Sequence, residues 1–281
     1  PSAFRISKDI RVRPAYSNNA GAVDRVNAMR DLVSLLNSEF DVLNVSERLM
    51  RLRESVQGRI VFTTSFGLED QYLSHLIFSQ DIAIDVVTLD TGRLFAETYA
   101  LWQATEEKYR RRIKAYHPDA NVLQEMIAEQ GVNGFYHSLE ARKTCCGVRK
   151  VEPLKRALAG ASAWVTGLRG DQSEARGSID FASFDTGFGL VKANPLADVS
   201  RAQVDATARV VGVPLNPLHA RGFPSIGCAP CTRAIKPGED ERAGRWWWEK
   251  DEKKECGLHV AADGSIKPRF VHSDGDRPWA V

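Results

Sequence analysis

The chain has 281 residues, 43% hydrophobic and 26% charged, close to the averages of soluble globular proteins, so a sizeable core is expected and wholesale disorder is excluded. Lys and Arg number 38 against 36 Asp and Glu, a net charge of +2 without a long single-sign block, which argues against a nucleic-acid partner. No apolar run approaches the roughly 20 residues that cross a bilayer, and the polar start lacks an apolar signal-peptide core, so no membrane partner is expected and the expected compartment is the cytoplasm.

Residues 1–25 are polar and aperiodic and read as a loosely ordered extension. Met29, Leu32, Leu35 and Leu36 then recur with helical spacing through 26–40. The next segments alternate: a strand at 59–64, a helix at 68–77, a strand at 82–89, a helix at 92–112, a strand at 113–116 and a helix at 121–129. Because Pro153 cannot sit mid-helix, 144–150 and 152–158 read as two helical pieces. A further strand lies at 163–166, and Ser200 predicts the N-cap of a helix ending near residue 211, before Pro214 and Pro217. Strands alternating with helices imply an α/β fold, a mostly parallel twisted sheet with helices on both faces.

Three polar, glycine-bearing turns follow three of these strands. Ligands of open α/β sheets gather at such strand ends. The turn in VFTTSFGLEDQ carries Thr63, Thr64, Ser65 and Gly67 at a helix start, where hydroxyls and free N–H groups suit a tetrahedral anion. An ordinary N-cap is the alternative. In VTLDTGR, Leu89, Asp90, Thr91 and Gly92 form a turn able to hold a base or ribose, or simply a helix cap. In GLRGDQSEARG, which starts at Gly167, Arg169 and Arg176 suit bidentate contact with phosphate or sulfate, against the reading of a solvated loop.

The cysteine count is odd. Cys145 and Cys146 are adjacent, Cys228 and Cys231 enclose two residues, and Cys256 stands alone. Two pairs some eighty residues apart could ligate zinc or an iron–sulfur centre, pack as core filler, or leave Cys228 and Cys231 as a redox dithiol. An adjacent pair is poorly shaped to close on one zinc ion. Cys256 lies in a charged tail, where Lys253, Lys254 and His259 favour a thiolate while Glu252 and Glu255 oppose it.

TTSFGLEDQ, LDTG, KTCCGVRKVEPL, GLRGDQS, GCAPC, GRWWWE and ECGLH, in this order over roughly residues 59–259, closely resemble the assimilatory adenylylsulfate (APS) reductases of iron–sulfur type, within the phosphoadenylylsulfate (PAPS) reductase family. The resemblance implies the adenine-nucleotide α-hydrolase fold and thioredoxin-dependent reduction of APS to sulfite and AMP, on the route to cysteine. Residues 26–235 would be the nucleotide-binding domain and 236–281 a mobile C-terminal segment bearing the catalytic cysteine. One 4Fe–4S cluster per chain would sit on Cys145, Cys146, Cys228 and Cys231.

Cys256 would attack the sulfate sulfur and form a Cys-S-sulfonate that reduced thioredoxin discharges. Substrate contacts would come from Thr64, Ser65, Phe66, Gly67, Glu69 and Asp70, from Leu89, Asp90, Thr91 and Gly92, and from Gly167, Arg169 and Arg176. Lys150, Arg242, Arg245 and His259 complete the expected set. A homo-oligomer is the expected assembly. The run Trp246, Trp247, Trp248 is expected to be packing or interface surface that anchors the base of the tail, with no catalytic role. Rival readings are a PAPS reductase, an ATP-dependent tRNA-thiolating enzyme, which the SFGLED loop disfavours, and a zinc-stabilised nucleotide sensor.

Overall fold

A computed structural model describes residues 22–172 and 179–249. In it β1 (Arg59–Thr64), β2 (Asp85–Leu89), β3 (Lys114–Tyr116), β4 (Ala161–Val165), β5 (Ala182–Asp185) and β6 (Leu190–Ala193) form one six-stranded sheet ordered β3-β2-β1-β4-β6-β5. All pairings are parallel except β5 with β6. The chain adds β2 and β3 on one side of β1, then crosses to add β4 and β6 on the other. The crevice at the carboxyl ends of β1 and β4 is therefore the topological switch point of the sheet.

The strands read as continuous apolar runs because both faces are covered. Ile60 and Phe62 of β1, with Ala163 and Val165 of β4, enter a large core shared with α1 (Ala22–Phe40), α2 (Val45–Ser55), α3 (Leu68–Ser79) and α8 (Arg201–Val210). Val61 and Trp164 point to the opposite face, where α7 (Glu152–Leu158) contributes Leu154, Ala157 and Leu158. The remaining helices are α4 (Ala96–Tyr109), α5 (Ala120–Gln130) and α6 (Leu139–Cys146). Among the described residues no helix is long and apolar enough to cross a membrane.

The expected α/β alternation holds, with differences of local physical origin. The strand expected at 82–89 begins at Asp85, and the helix expected at 92–112 runs only from Ala96 to Tyr109, ending where Arg110 turns left-handed at φ 51°. Three elements, α2, β5 and β6, carry too weak a periodicity to be expected from the sequence. In α2, VSERLMRLRES, a buried Arg48 and several exposed charges mask the apolar spacing of Val45, Leu49 and Leu52. The β5–β6 hairpin is made of two four-residue strands joined by a turn in which Asp185 accepts from the N–H groups of Gly187 and Phe188. Ser200 caps α8 as expected, in a reciprocal capping box with Gln203.

The second helical piece has the expected bounds, Glu152–Leu158, but the first does not stop short of it. Instead α6 runs into a π-helical turn, Gly147–Val151, and then α7, in which Pro153 occupies the first turn where its missing N–H is tolerated. The Glu152 N–H donates to the Gly147 carbonyl five residues back. Such wide turns cluster at functional sites, and this one carries Lys150.

A candidate active site at the carboxyl ends of β1 and β4

A cavity of about 200 Å³ opens at the switch point. Its floor carries Thr63 and Thr64 of β1, Thr88 of β2 and Thr166 just after β4, and its wall carries Lys150, Arg242 and Arg245. Hydroxyls from three strand ends and three cations thus border one cavity, together with Glu69, Asp70 and Glu241. Thr88 and Thr166 were not singled out from sequence; the signal available was a threonine at or beside the last position of each strand.

The turn between β1 and α3 is built around Asp70. Both the backbone N–H and the hydroxyl of Ser65 donate to its Oδ2, at 2.6 and 2.7 Å. Burial pushes the Asp70 carboxyl up to about 6, partly countered by these two bonds from Ser65 and reinforced by Glu69. Gly167 makes the close approach from β4 possible, since a Cβ there would lie 2.3 Å from Asp70 Oδ1. Thr64, Ser65, Gly67, Glu69, Asp70 and Gly167 line the cavity. Phe66 does not: at φ 59° it turns into the core, 1% exposed, and stacks on Trp102 at 5.6 Å.

Of the second turn, Leu89 and Thr91 line the cavity, whereas Asp90 and Gly92 are outside its wall. Asp90 is spent on structure. Its Oδ1 accepts from the Gly92 N–H at 2.8 Å and the Tyr99 hydroxyl at 2.7 Å, and His117 approaches Oδ2 at 3.5 Å.

Arg169 occupies a different place from an anion-contacting side chain. Its guanidinium is fully buried and donates to Glu69 at 2.7 Å, to both oxygens of Glu241 at 3.1 Å, and to Asp171. The cavity wall does not include it, although Glu69 and Glu241 are part of that wall. Arg176, Cys256 and His259 lie outside the described residues.

The four remaining cysteines meet. Cys145 and Cys146 at the end of α6, with Cys228 and Cys231 from the loop before Thr232, surround one small void of about 10 Å³ rimmed by Arg142, Arg149, Lys150 and Arg245. Lys150, Arg245 and Trp246 border both this void and the larger cavity. Burial alone would raise the Cys228 thiol, but Lys150, a hydrogen bond with Thr91 and the nearby Arg245 and Arg149 outweigh it and hold the group below its ordinary value. Burial and the neighbouring Cys228 push Cys231 up to about 12. Among the described residues no three thiols, imidazoles or carboxylates are grouped as ligands of a single metal ion.

Of the tryptophan run, Trp246 and Trp248 pack. Trp246 is 1% exposed, with the guanidinium groups of Arg142 and Arg245 at 4.8 and 4.7 Å from its ring. Trp248 stacks edge-on against Tyr136 at 4.4 Å, while Trp247 is half exposed. Arg142 and Glu249 form a buried bidentate pair at 2.7 and 2.9 Å that ties this segment to α6. The role of Arg142 was not foreseen, since its partner lies 107 residues away.

Comparison with known proteins bears on this geometry. Residues 59–234 match the phosphoadenosine phosphosulfate reductase domain. The adenosine 5'-phosphosulfate reductase of Sinorhizobium fredii (strain NBRC 101917 / NGR234) is 56% identical over 238 residues, covering 83% of this chain and 93% of that relative. Its counterpart in Allochromatium vinosum is 54% identical over 200 residues, 71% of this chain and 78% of the relative. The crystal structure of the phosphoadenylyl-sulfate reductase of Candida auris, a phosphate complex, aligns with a TM-score of 0.62 at 26% identity, over 72% of this chain and 96% of that one.

Proposed function

The chain belongs to the phosphoadenosine phosphosulfate reductase family, and from that premise we propose that it reduces adenosine 5'-phosphosulfate to sulfite and AMP, with reduced thioredoxin as electron donor. The observation that carries this reading is the wall of Lys150, Arg245 and Trp246 held in common by the anion cavity and the four-cysteine void. The names of the relatives supply the substrate.

In this reading the Cys256 thiolate attacks the sulfate sulfur, the bond from sulfur to the bridging phosphate oxygen breaks, and AMP leaves with the electron pair. A Cys-S-sulfonate remains. One thioredoxin thiolate attacks the Cys256 sulfur and expels sulfite, and the second thiol resolves the mixed disulfide, so both electrons come from the dithiol. Lys150, Arg242 and Arg245 offset the charge of the transferring group, and the threonine hydroxyls at the strand ends hold its oxygens. Leu89 and Thr91 form part of the wall for the nucleoside.

Cys145, Cys146, Cys228 and Cys231 would hold a 4Fe–4S cluster. The donor set fits: four thiols share one void, and the cations on its rim match the negative charge of a thiolate-bound cluster. Bound there, a cluster supplies a cross-link between α6 and the loop before Thr232 together with a local electrostatic field, while the reducing electrons come from thioredoxin. The residues themselves orient the site, since Lys150 sits within the π turn that directly follows Cys146.

The deciding experiment mixes anaerobically purified protein with adenosine 5'-phosphosulfate alone and records an intact mass. One sulfonate adduct is expected, absent in Cys256→Ser and discharged by reduced thioredoxin. A protein containing iron and acid-labile sulfide that forms no adduct overturns the mechanism. The structural likeness to a phosphoadenylyl-sulfate reductase favours a second substrate reading, which comparison of turnover with the two nucleotides decides.

A further inference from the structure

Beside the cavity two arginines meet three carboxylates. Arg169 binds Glu69, Asp171 and Glu241, while Arg201 donates to Glu241 at 2.8 Å, lies 4.0 Å from Glu69, and gives its backbone N–H to Asp171 at 3.2 Å. The knot joins the first turn of α3, the turn after β4, the start of α8 and the segment that carries Arg242. Among the described residues its formal charge is one negative.

Two of its carboxylates, Glu69 and Glu241, are also cavity wall. A carboxylate facing a polyanion is repulsive, and in a partly buried site the repulsion is poorly screened. Burial pushes the Glu241 carboxyl above its ordinary value, against the pull of Arg201 and Arg169. Arg169, with its side chain at 0% exposure, reaches both glutamates from behind the wall, where it cannot itself touch a ligand.

We propose that Arg169 is a positioning residue that neutralises Glu69 and Glu241 from behind, so that a cavity whose wall includes these two carboxylates beside Asp70 accepts an anionic nucleotide. This rests on the reading of the cavity as a nucleotide site. The planar fork of arginine suits the task, because it bonds three carboxylates at once while staying charged when buried. The two glutamates in turn hold Arg169 and Arg201 across four elements, which accounts for carboxylates beside an anion site.

The test compares wild type, Arg169→Gln, Glu241→Gln and the double variant, measuring KM and kcat for adenosine 5'-phosphosulfate and the dissociation constant of AMP by calorimetry. Arg169→Gln makes the knot more negative and should raise KM and the AMP dissociation constant roughly tenfold, with kcat changed less than about threefold. Glu241→Gln makes the knot neutral and should leave AMP binding unchanged or tighter. The double variant restores the wild-type charge and should return to within about threefold of wild type.

A double variant as weak as Arg169→Gln, or a tenfold weakening in Glu241→Gln, overturns the proposal. If Arg169→Gln does not fold, Glu241→Gln and the double variant still decide, because a purely structural knot predicts that both bind AMP worse than wild type. A wild-type protein that binds AMP yet forms no sulfonate adduct would overturn the assigned reaction instead, leaving the order of AMP constants to judge the role of Arg169.

Discussion

The hydroxyl of Thr91 stands 3.3 Å from the sulfur of Cys228, so one side chain of the cavity wall touches a thiol of the neighbouring void. Thr91 is itself fixed: Arg149 donates to its carbonyl at 2.6 Å, and the Arg93 N–H donates to its hydroxyl at 3.2 Å. The backbone continues the link, since the Ala229 N–H next to Cys228 donates to the Arg93 carbonyl at 2.8 Å. The cysteine loop and the cavity wall are therefore joined by hydrogen bonds.

Thr91→Val keeps the shape and removes the hydroxyl. Removing one partner of a buried hydrogen bond costs about 1–3 kcal/mol, an upper bound on the effect at the site, so kcat/KM should fall roughly fivefold to a hundredfold. Thr91→Ser should stay within about threefold of wild type, a smaller loss than for the valine. Steady-state kinetics with iron content measured in parallel checks this. Equal kcat/KM in the valine and serine variants would remove the hydroxyl from the account.

Gly227 lies against Arg245. A Cβ at this glycine would fall 2.2 to 2.7 Å from the Arg245 guanidinium, so Gly227→Ala must displace that group from the cavity wall. KM should rise roughly tenfold at unchanged iron content, and Arg245→Ala should add little in the Gly227→Ala background, because both changes remove the same contact. Additive effects in the double variant would show that Gly227 acts elsewhere.

Asp70 predicts a pH dependence. Burial holds its carboxyl at about 6, above the ordinary carboxylate range, so between roughly pH 4 and 6 the folded state keeps a proton that the unfolded chain has lost. Stability should fall as pH rises through that window. The ionised carboxylate also faces the cavity, so KM for the anionic substrate should rise as pH passes about 6. Asp70→Asn should flatten both profiles, measured by urea midpoints and by KM from about pH 5 to 8; an unchanged slope would exclude Asp70 as the titrating group.

Arg48 predicts a stability loss away from the site. It is 3% exposed and donates to the carbonyls of Phe40 and Pro195, both at 2.8 Å, and to both oxygens of Asp198 at 2.6 and 2.9 Å. Arg48→Met fills the space but strands those carbonyls, at about 1–3 kcal/mol for each buried group left unpaired. Denaturant unfolding should show the loss, with AMP binding unchanged at low temperature. A variant as stable as wild type would mean that water replaces the guanidinium.

The features legible along the chain are local. Apolar period and turn chemistry specified the alternation of strands and helices, the polar turns at the ends of β1, β2 and β4, and the two cysteine pairs. The sequence was silent where short or highly charged segments carry a weak period, as in α2 and the β5–β6 hairpin. The tertiary structure decided which of the expected side chains share the cavity. It brought Thr64, Ser65, Thr91, Lys150, Arg242 and Arg245 into one wall, turned Phe66 into the core, and gave Arg169 to carboxylates that include Glu69, 100 residues earlier, and Glu241, 72 residues later. A charged side chain takes its role from its partners, and partners at that separation are chosen by the fold of the sheet, not by spacing along the chain.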